Sequence, residues 1–380
     1  MNEPSQTLQK ISKISWIVGA IGFVLVALGW LKNPQLAAAS YLPAWLFFFG
    51  ISVGSFALIM VHHLTSGGWG FALRRIQETL LDALPLCALL FIPIGLGMSH
   101  LYPWTDAAHV AHDPVLSQKT AYLNMPFFWI RFAIYFTIWI WLANRLKKHS
   151  AIQEQNHDPV STYKTNFRLA GYGGGGLILY TLTITFATID WIMAVEPHWF
   201  STMYGAIFMI AFSLSSLAFG ITIAVFFSQD KNDPMQKVLS TDRLHDLGTL
   251  LFANDMLWAY TSISQFIIIW SANIQEEAAW YVHRSQNGWW LVIAAIFVLH
   301  FLLPFLLLLM RFIKRKAGRL IKVAALLLCI RYIEYIWYVK PTFIQDVRLS
   351  WMDLASVLAV GGIWLGFIAS RFAKAGYLQT

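Results

Sequence analysis

Four residues set deep inside apolar runs have the chemistry to move protons: Asp255, His300, Arg331 and Glu334. Arg331 and Glu334 are three positions apart, so on a helix they share a face. Such a pair neutralises itself and fixes packing, or it makes Glu334 a relay carboxylate whose proton affinity is set by Arg331. Asp255 has no charged residue three or four positions away. It either pairs across helices or carries its own proton, and both arrangements suit a relay. His300, four residues before Pro304, is satisfied by a hydroxyl or carbonyl or belongs to the same relay. A charge at the centre of a bilayer costs about 3 kcal/mol or more, so each ionisable residue there is a functional hypothesis.

Two further sets sit near the ends of apolar runs. On one side Arg131 enters the fourth run, Asp190 and Glu196 end the fifth, His100 ends the third and Asp353 opens the tenth. These residues read as helix-end caps and arginine–carboxylate pairs, or as groups that accept and release protons. On the other side His62 and His63 end the second run, while Asp82 and Asp246 open the third and seventh. Aspartates favour helix N-termini on dipole grounds alone. In a proton path, Asp82 and Asp246 would be the uptake groups.

Other chemistries fit poorly. The histidines lie at different depths, so no two can face each other across a haem. Cys87 and Cys329 lie in apolar runs without a Cys-x-x-Cys, which suits buried inert thiols and no cluster or structural zinc. His109 and His112 have helical metal spacing, but Asp113-Pro114 suggests a turn; no metal site is assigned. The net charge of +8 does not point to nucleic acid, because the basic residues fall in short links between apolar runs. Gly173 to Gly176 precede an apolar run and fit close helix packing or a soft helix start better than a phosphate loop.

The elements that must hold these groups are membrane spans. Apolar residues make up 58% of the 380 residues and charged ones 12%, about half the charge of a soluble domain. Runs near 20 residues can cross the hydrocarbon. Ten fit: 14–31, 42–63, 83–100, 127–144, 170–195, 201–227, 246–271, 288–310, 319–339 and 353–372. Most Lys and Arg fall in the links on the side of the two termini, which predicts a multi-pass protein with both termini in the cytoplasm. The polar start lacks a cleavage signal. Residues 71–84 alternate with helical period and predict an interfacial helix. Links of similar rhythm in 42–195 and 201–339 suggest a parallel repeat.

Several stretches, in order along most of the chain, resemble the ActF-type membrane subunits of bacterial alternative complex III and, more distantly, the NrfD/PsrC family. They are Tyr41-Leu-Pro-Ala-Trp-Leu through His62-His63-Leu-Thr-Ser-Gly-Gly-Trp-Gly, Lys119 through Arg131, Asp190-Trp-Ile-Met-Ala-Val-Glu196-Pro-His-Trp-Phe through Gly205, and Leu257 through Glu277. The resemblance implies an all-α integral membrane protein: one polytopic domain over 1–380, with two four-helix bundles (42–195 and 201–339) and flanking spans one and ten. It implies a bacterial inner membrane and a respiratory role in quinol oxidation. Implied partners are a homologous quinol-binding membrane subunit, an iron–sulfur protein, multihaem and monohaem cytochrome c subunits and small membrane anchors. Haem c and iron–sulfur clusters would reside in those partners. This chain would have no redox centre of its own and bind lipids. Its residues His100, Arg131, Asp190, Glu196 and Asp353 would border a quinol cavity or proton exit. A secondary transporter and a purely structural membrane subunit are the alternatives.

Overall fold

The computed structural model describes residues 3–155, 159–229 and 234–374, and among them every regular element is helical. The chain is an all-α membrane protein. Eight helices are long and apolar enough to cross a bilayer. Ten were expected from the sequence. The two that fall short, Thr241–Ala272 and Ala317–Val339, are long helices in the expected places. The first carries Asp255, and the second carries Lys322, Arg331 and Glu334.

The first helix, α1 (Glu3–Lys32), is followed at once by α2 (Pro34–Thr65). Asn33 makes the break: its side chain accepts from the Leu36 N–H at 3.0 Å and Pro34 takes the first helical position, where its missing N–H costs nothing. Next come α3 (Gly68–Leu81), α4 (Met125–Gln155), α5 (Pro159–Trp191) and α6 (Tyr204–Ser228). The chain continues through α7 (Thr241–Ala272), α8 (Trp289–Ile296), α9 (Ala317–Val339) and α10 (Trp351–Lys374). Ser240 caps α7 through the Arg243 N–H, and Asn273 closes it with φ 49°, a left-handed residue of the kind that ends helices.

The first and last helices pack as an antiparallel pair. The Ser12 hydroxyl donates to the Gly366 carbonyl at 2.8 Å, and Gly19 and Gly22 press against Gly362 and Ala359. A Cβ on Gly22 would lie 2.3 Å from the Ala359 nitrogen, so only glycine permits this approach. This register places the start of α1 beside the end of α10, at one end of the helix stack. Trp364 then ties α10 to α2 by donating to the Ser52 hydroxyl at 2.8 Å.

At the centre α2 crosses α6. A Cβ on Gly54 would fall 2.0 Å from the Phe212 carbonyl oxygen, and Ser55 and Ser216 share a hydrogen bond of 2.8 Å across the crossing. Helix α3 forms where an interfacial helix was expected, but it does not simply rest on a membrane surface. It buries Leu73, Ile76, Gln77 and Leu80, and Gln77 both accepts from the Ser216 hydroxyl and donates to its carbonyl. Its Arg74 and Arg75 grip Glu154 at the end of α4.

The third expected span, 83–100, is a chain of short helices interrupted near Phe91 and Gly97. Pro85 and Pro93 each remove a backbone donor there. Gly173 and Gly176 press against Met60 of α2, whereas Gly174 and Gly175 face open space; half of the glycine run therefore serves packing. Cys87 is buried, but Cys329 is exposed, which corrects the expectation of two buried thiols: its face of α9 points away from the core.

Candidate functional site

Helices α7, α8 and α9 meet around the four residues from which the sequence reading began. Asp255 and His300 are 0% exposed, and Arg331 and Glu334 are 1% exposed. The local backbone that delivers His300 is unusual. Helix α8 runs into a π turn over Phe297–Leu302 before helix resumes at Leu303–Leu309. Pro304 has no N–H to offer the His300 carbonyl, four residues before it, and its ring crowds that carbonyl. A widened turn accommodates both problems, and such turns recur at functional sites.

Glu334 is the hub. Its Oε2 pairs with Arg331 on the same helix face, as the three-residue spacing implied. Its Oε1 accepts from the Trp258 indole at 3.1 Å and from the Tyr338 hydroxyl at 3.2 Å. The Trp258 ring lies between the two acidic positions: its centroid is 4.1 Å from that of the His300 ring, and the Arg331 guanidinium carbon is 5.1 Å from the Trp258 centroid. On its far side the His300 Nδ1 approaches the Asp255 Oδ1 at 3.5 Å, which settles the open question of what Asp255 faces across helices. Both carboxylate oxygens of Asp255, both imidazole nitrogens of His300, and Nε and Nη2 of Arg331 lack a hydrogen-bond partner. Buried polar atoms are nearly always satisfied, so six open donors and acceptors on three neighbouring side chains set this cluster apart from a closed ion pair. With Arg331 and Glu334 paired to each other, Asp255 and His300 face one another at 3.5 Å without a hydrogen bond. The Trp258 indole only donates and cannot itself pass a proton on; transfer between Asp255 and Glu334 needs a water or a small movement of His300.

A cavity of about 580 Å3 adjoins the hub; Glu334, Trp258 and Tyr338 line it, and its lining reaches Asn273 at the end of α7. Beyond Tyr338 a second polar group continues away from the termini. The Tyr338 carbonyl accepts from Arg284 at 2.8 Å, and Arg284 pairs with Glu196 at 3.0 Å. Thr342 donates to Glu196 and accepts from Arg284. Arg284 also stacks on Trp280 at 4.0 Å. Burial draws the Arg284 guanidinium below its ordinary range, and Glu196 opposes that pull. The same burial pushes the Tyr281 hydroxyl up to about 12, opposed by Gln265 and Arg284.

The remaining expected residues disperse. Arg131 binds Asp190 through two bonds of 2.9 and 2.8 Å, and the Tyr135 hydroxyl donates to Asp190 at 2.8 Å. Asp353 pairs with the buried Lys340 at 2.5 Å and accepts from the Ser350 N–H, a capping role. His100 is exposed and meets only the Trp30 ring edge, at 6.3 Å. The residues expected to border one cavity or exit thus have separate partners, and only Glu196 adjoins the polar chain from the hub. Asp82 is held by Lys147, and the exposed Asp246 has only His245 beside it at 3.8 Å; neither contacts the hub. Arg284 and Lys340 were missed in the sequence because both sit in links and read as topology markers. The signal for Arg284 was Trp280 four residues earlier, a spacing that stacks a cation on a ring.

Among the described residues no three His, Cys, Asp or Glu gather as a metal site. No family model and no curated protein matches the chain.

Proposed function

We propose that this chain is a proton-handling membrane subunit of a bacterial respiratory quinol-oxidising complex of the alternative complex III type, lodged in the inner membrane with both termini in the cytoplasm. The reading joins the resemblance of the motif stretches to one observation: two acids, an imidazole and a guanidinium buried together with several polar atoms unpartnered. Electron transfer would take place in partners, namely an iron–sulfur protein, cytochrome c subunits and a homologous quinol-binding membrane subunit. Here Asp255 and His300 would accept a proton and Glu334 would pass it toward Tyr338 and the end remote from the termini.

A transporter built from a repeat would break helices at matching places in both halves. The interruptions fall instead in the third expected span and, as the π turn, in the eighth, which do not correspond. The test is proton translocation per electron in the assembled complex. Asp255→Asn and Glu334→Gln should each lower it while the complex still assembles. Unchanged stoichiometry in both variants removes the relay.

A further inference from the structure

The cavity beside Glu334 has a shape and lining of its own. Trp258 and Asn273 both line it and are fifteen residues apart on α7, so it runs along roughly 22 Å of helix at 1.5 Å per residue. Spread over that length, about 580 Å3 is a bore wide enough for one chain rather than a compact chamber. Its mouth is lateral. Ile263, Phe266 and Phe297 line it and are 41%, 47% and 49% exposed, on helix surfaces that face hydrocarbon rather than water.

The two ends differ in polarity. At the inner end both Glu334 oxygens are engaged, by Trp258, Tyr338 and Arg331. The Ser262 hydroxyl, which also lines the cavity, has no hydrogen-bond partner and is the one open polar atom near that end. A phosphate-bearing headgroup driven to that end would leave water for a single hydroxyl, whereas a hydrocarbon terminus loses nothing. The end of α7 is polar: Asn273 lines the cavity there, and Glu276 and Glu277 open the next helix, Gln275–His283, whose Ala278 lines it too. Carboxylates between Asn273 and Ala278 in the chain, both of which line the cavity, favour an amine and repel an anionic head.

We infer that the cavity holds one acyl chain of a zwitterionic aminophospholipid, drawn in sideways from the leaflet remote from the termini, its amine near Glu276 and Glu277 and its chain end against Trp258 and Tyr338. A chain in this position keeps bulk water off the cavity side of Glu334. The inference does not depend on proton transfer at Glu334, since it uses only the cavity's shape and polarity.

The test uses the full chain in vesicles of phosphatidylethanolamine and phosphatidylglycerol, doped with phosphatidylethanolamine bearing a photoactivatable diazirine at the acyl terminus. Crosslinked peptides should concentrate on Trp258–Ser262 and Glu334–Tyr338. Ile263→Trp, which narrows the mouth, should cut that labelling at least fivefold, and Ile178→Trp on the exposed face of α5 should leave it unchanged. The wild-type map needs no variant and stands if Ile263→Trp fails to fold. Labelling spread evenly over lipid-facing helices overturns the inference. So does equal labelling from an anionic phosphatidylglycerol probe, or displacement of the label by an isoprenoid quinone.

Discussion

Each half of the molecule sets a buried arginine against a carboxylate beneath aromatic rings, and the two halves finish the job differently. In the first half Arg131 donates from Nε, Nη1 and Nη2, and Asp190 receives Arg131 and Tyr135. The space beside that pair is filled. Trp191 sits 5.1 Å from Trp45, 5.4 Å from Phe49 and 5.5 Å from Phe91, centroid to centroid. In the second half Arg331 has two nitrogens without partners, Asp255 has no hydrogen bond, and the aromatic rings of Trp258, Trp280 and Trp337 line a cavity beside Glu334. A saturated pair in a packed core has one low-energy arrangement. An unsaturated cluster beside open volume has several, and can change protonation or rotamer without breaking the fold. On the proposed function, the first pair would serve architecture and the second cluster exchange.

The largest effects should come from breaking the saturated half. Arg131→Ala strands the Asp190 carboxylate and should cost about 3–5 kcal/mol, read as a fall in the thermal midpoint of the purified chain. Trp191→Ala should cost a similar ~3–5 kcal/mol by emptying the aromatic cluster. A loss below about 1 kcal/mol in either would erase the architectural half of the contrast. Glu334→Gln keeps an amide oxygen for Trp258 and Tyr338 but removes the counter-charge of the buried Arg331, and should cost about 3 kcal/mol, the low end of that range. Smaller still is filling: Ile293→Phe lines the cavity and should stay within about 1 kcal/mol. Gly54→Leu at the packed α2–α6 crossing should cost about 1–3 kcal/mol or more. Equal penalties would mean that the cavity is not free volume.

The smallest effect lies in the outer connection, away from both clusters. Desolvation works against the Asp113 carboxylate, yet bonds from the Leu116 N–H, His198 and the Val115 N–H hold its pKa below the usual carboxylate range. A depressed value in the folded state means stability that is present above the ordinary carboxylate pKa and lost as pH falls through the folded one. Asp113→Asn should therefore lower the thermal midpoint slightly at pH 7, and the gap from wild type should close as pH drops below about 3.8.

The apolar runs made the helices legible, because a 20-residue stretch without charge has few soluble solutions. The Arg331–Glu334 pair was legible too, since three-residue spacing is a local property of one helix. Asp255 and His300 belong to different helices, 45 positions apart, and only packing brings them together. Arg284 and Lys340 looked like loop cations because position in a link says nothing about whether the link folds back; Lys340 is 0% exposed. The α1–α10 pairing joins glycines some 340 positions apart and leaves no trace in either run alone. The cavity was illegible for a simpler reason: it is made by what neighbouring side chains fail to fill. Asp82 and Asp246 looked like proton-uptake groups because the sequence set them at helix starts; in the structure Asp82 follows the last turn of α3 and Asp246 is the sixth residue of α7, and neither touches the hub.

Infrared difference spectroscopy of the full chain across a pH step addresses the division between the halves most directly, because a buried carboxylic acid absorbs apart from carboxylates and amides. The account predicts a carboxylic C=O band that changes with pH, disappears in Asp255→Asn, shifts in Glu334→Gln and persists in Asp190→Asn. A band that survives Asp255→Asn and vanishes in Asp190→Asn would place the exchanging proton in the packed half and contradict the account.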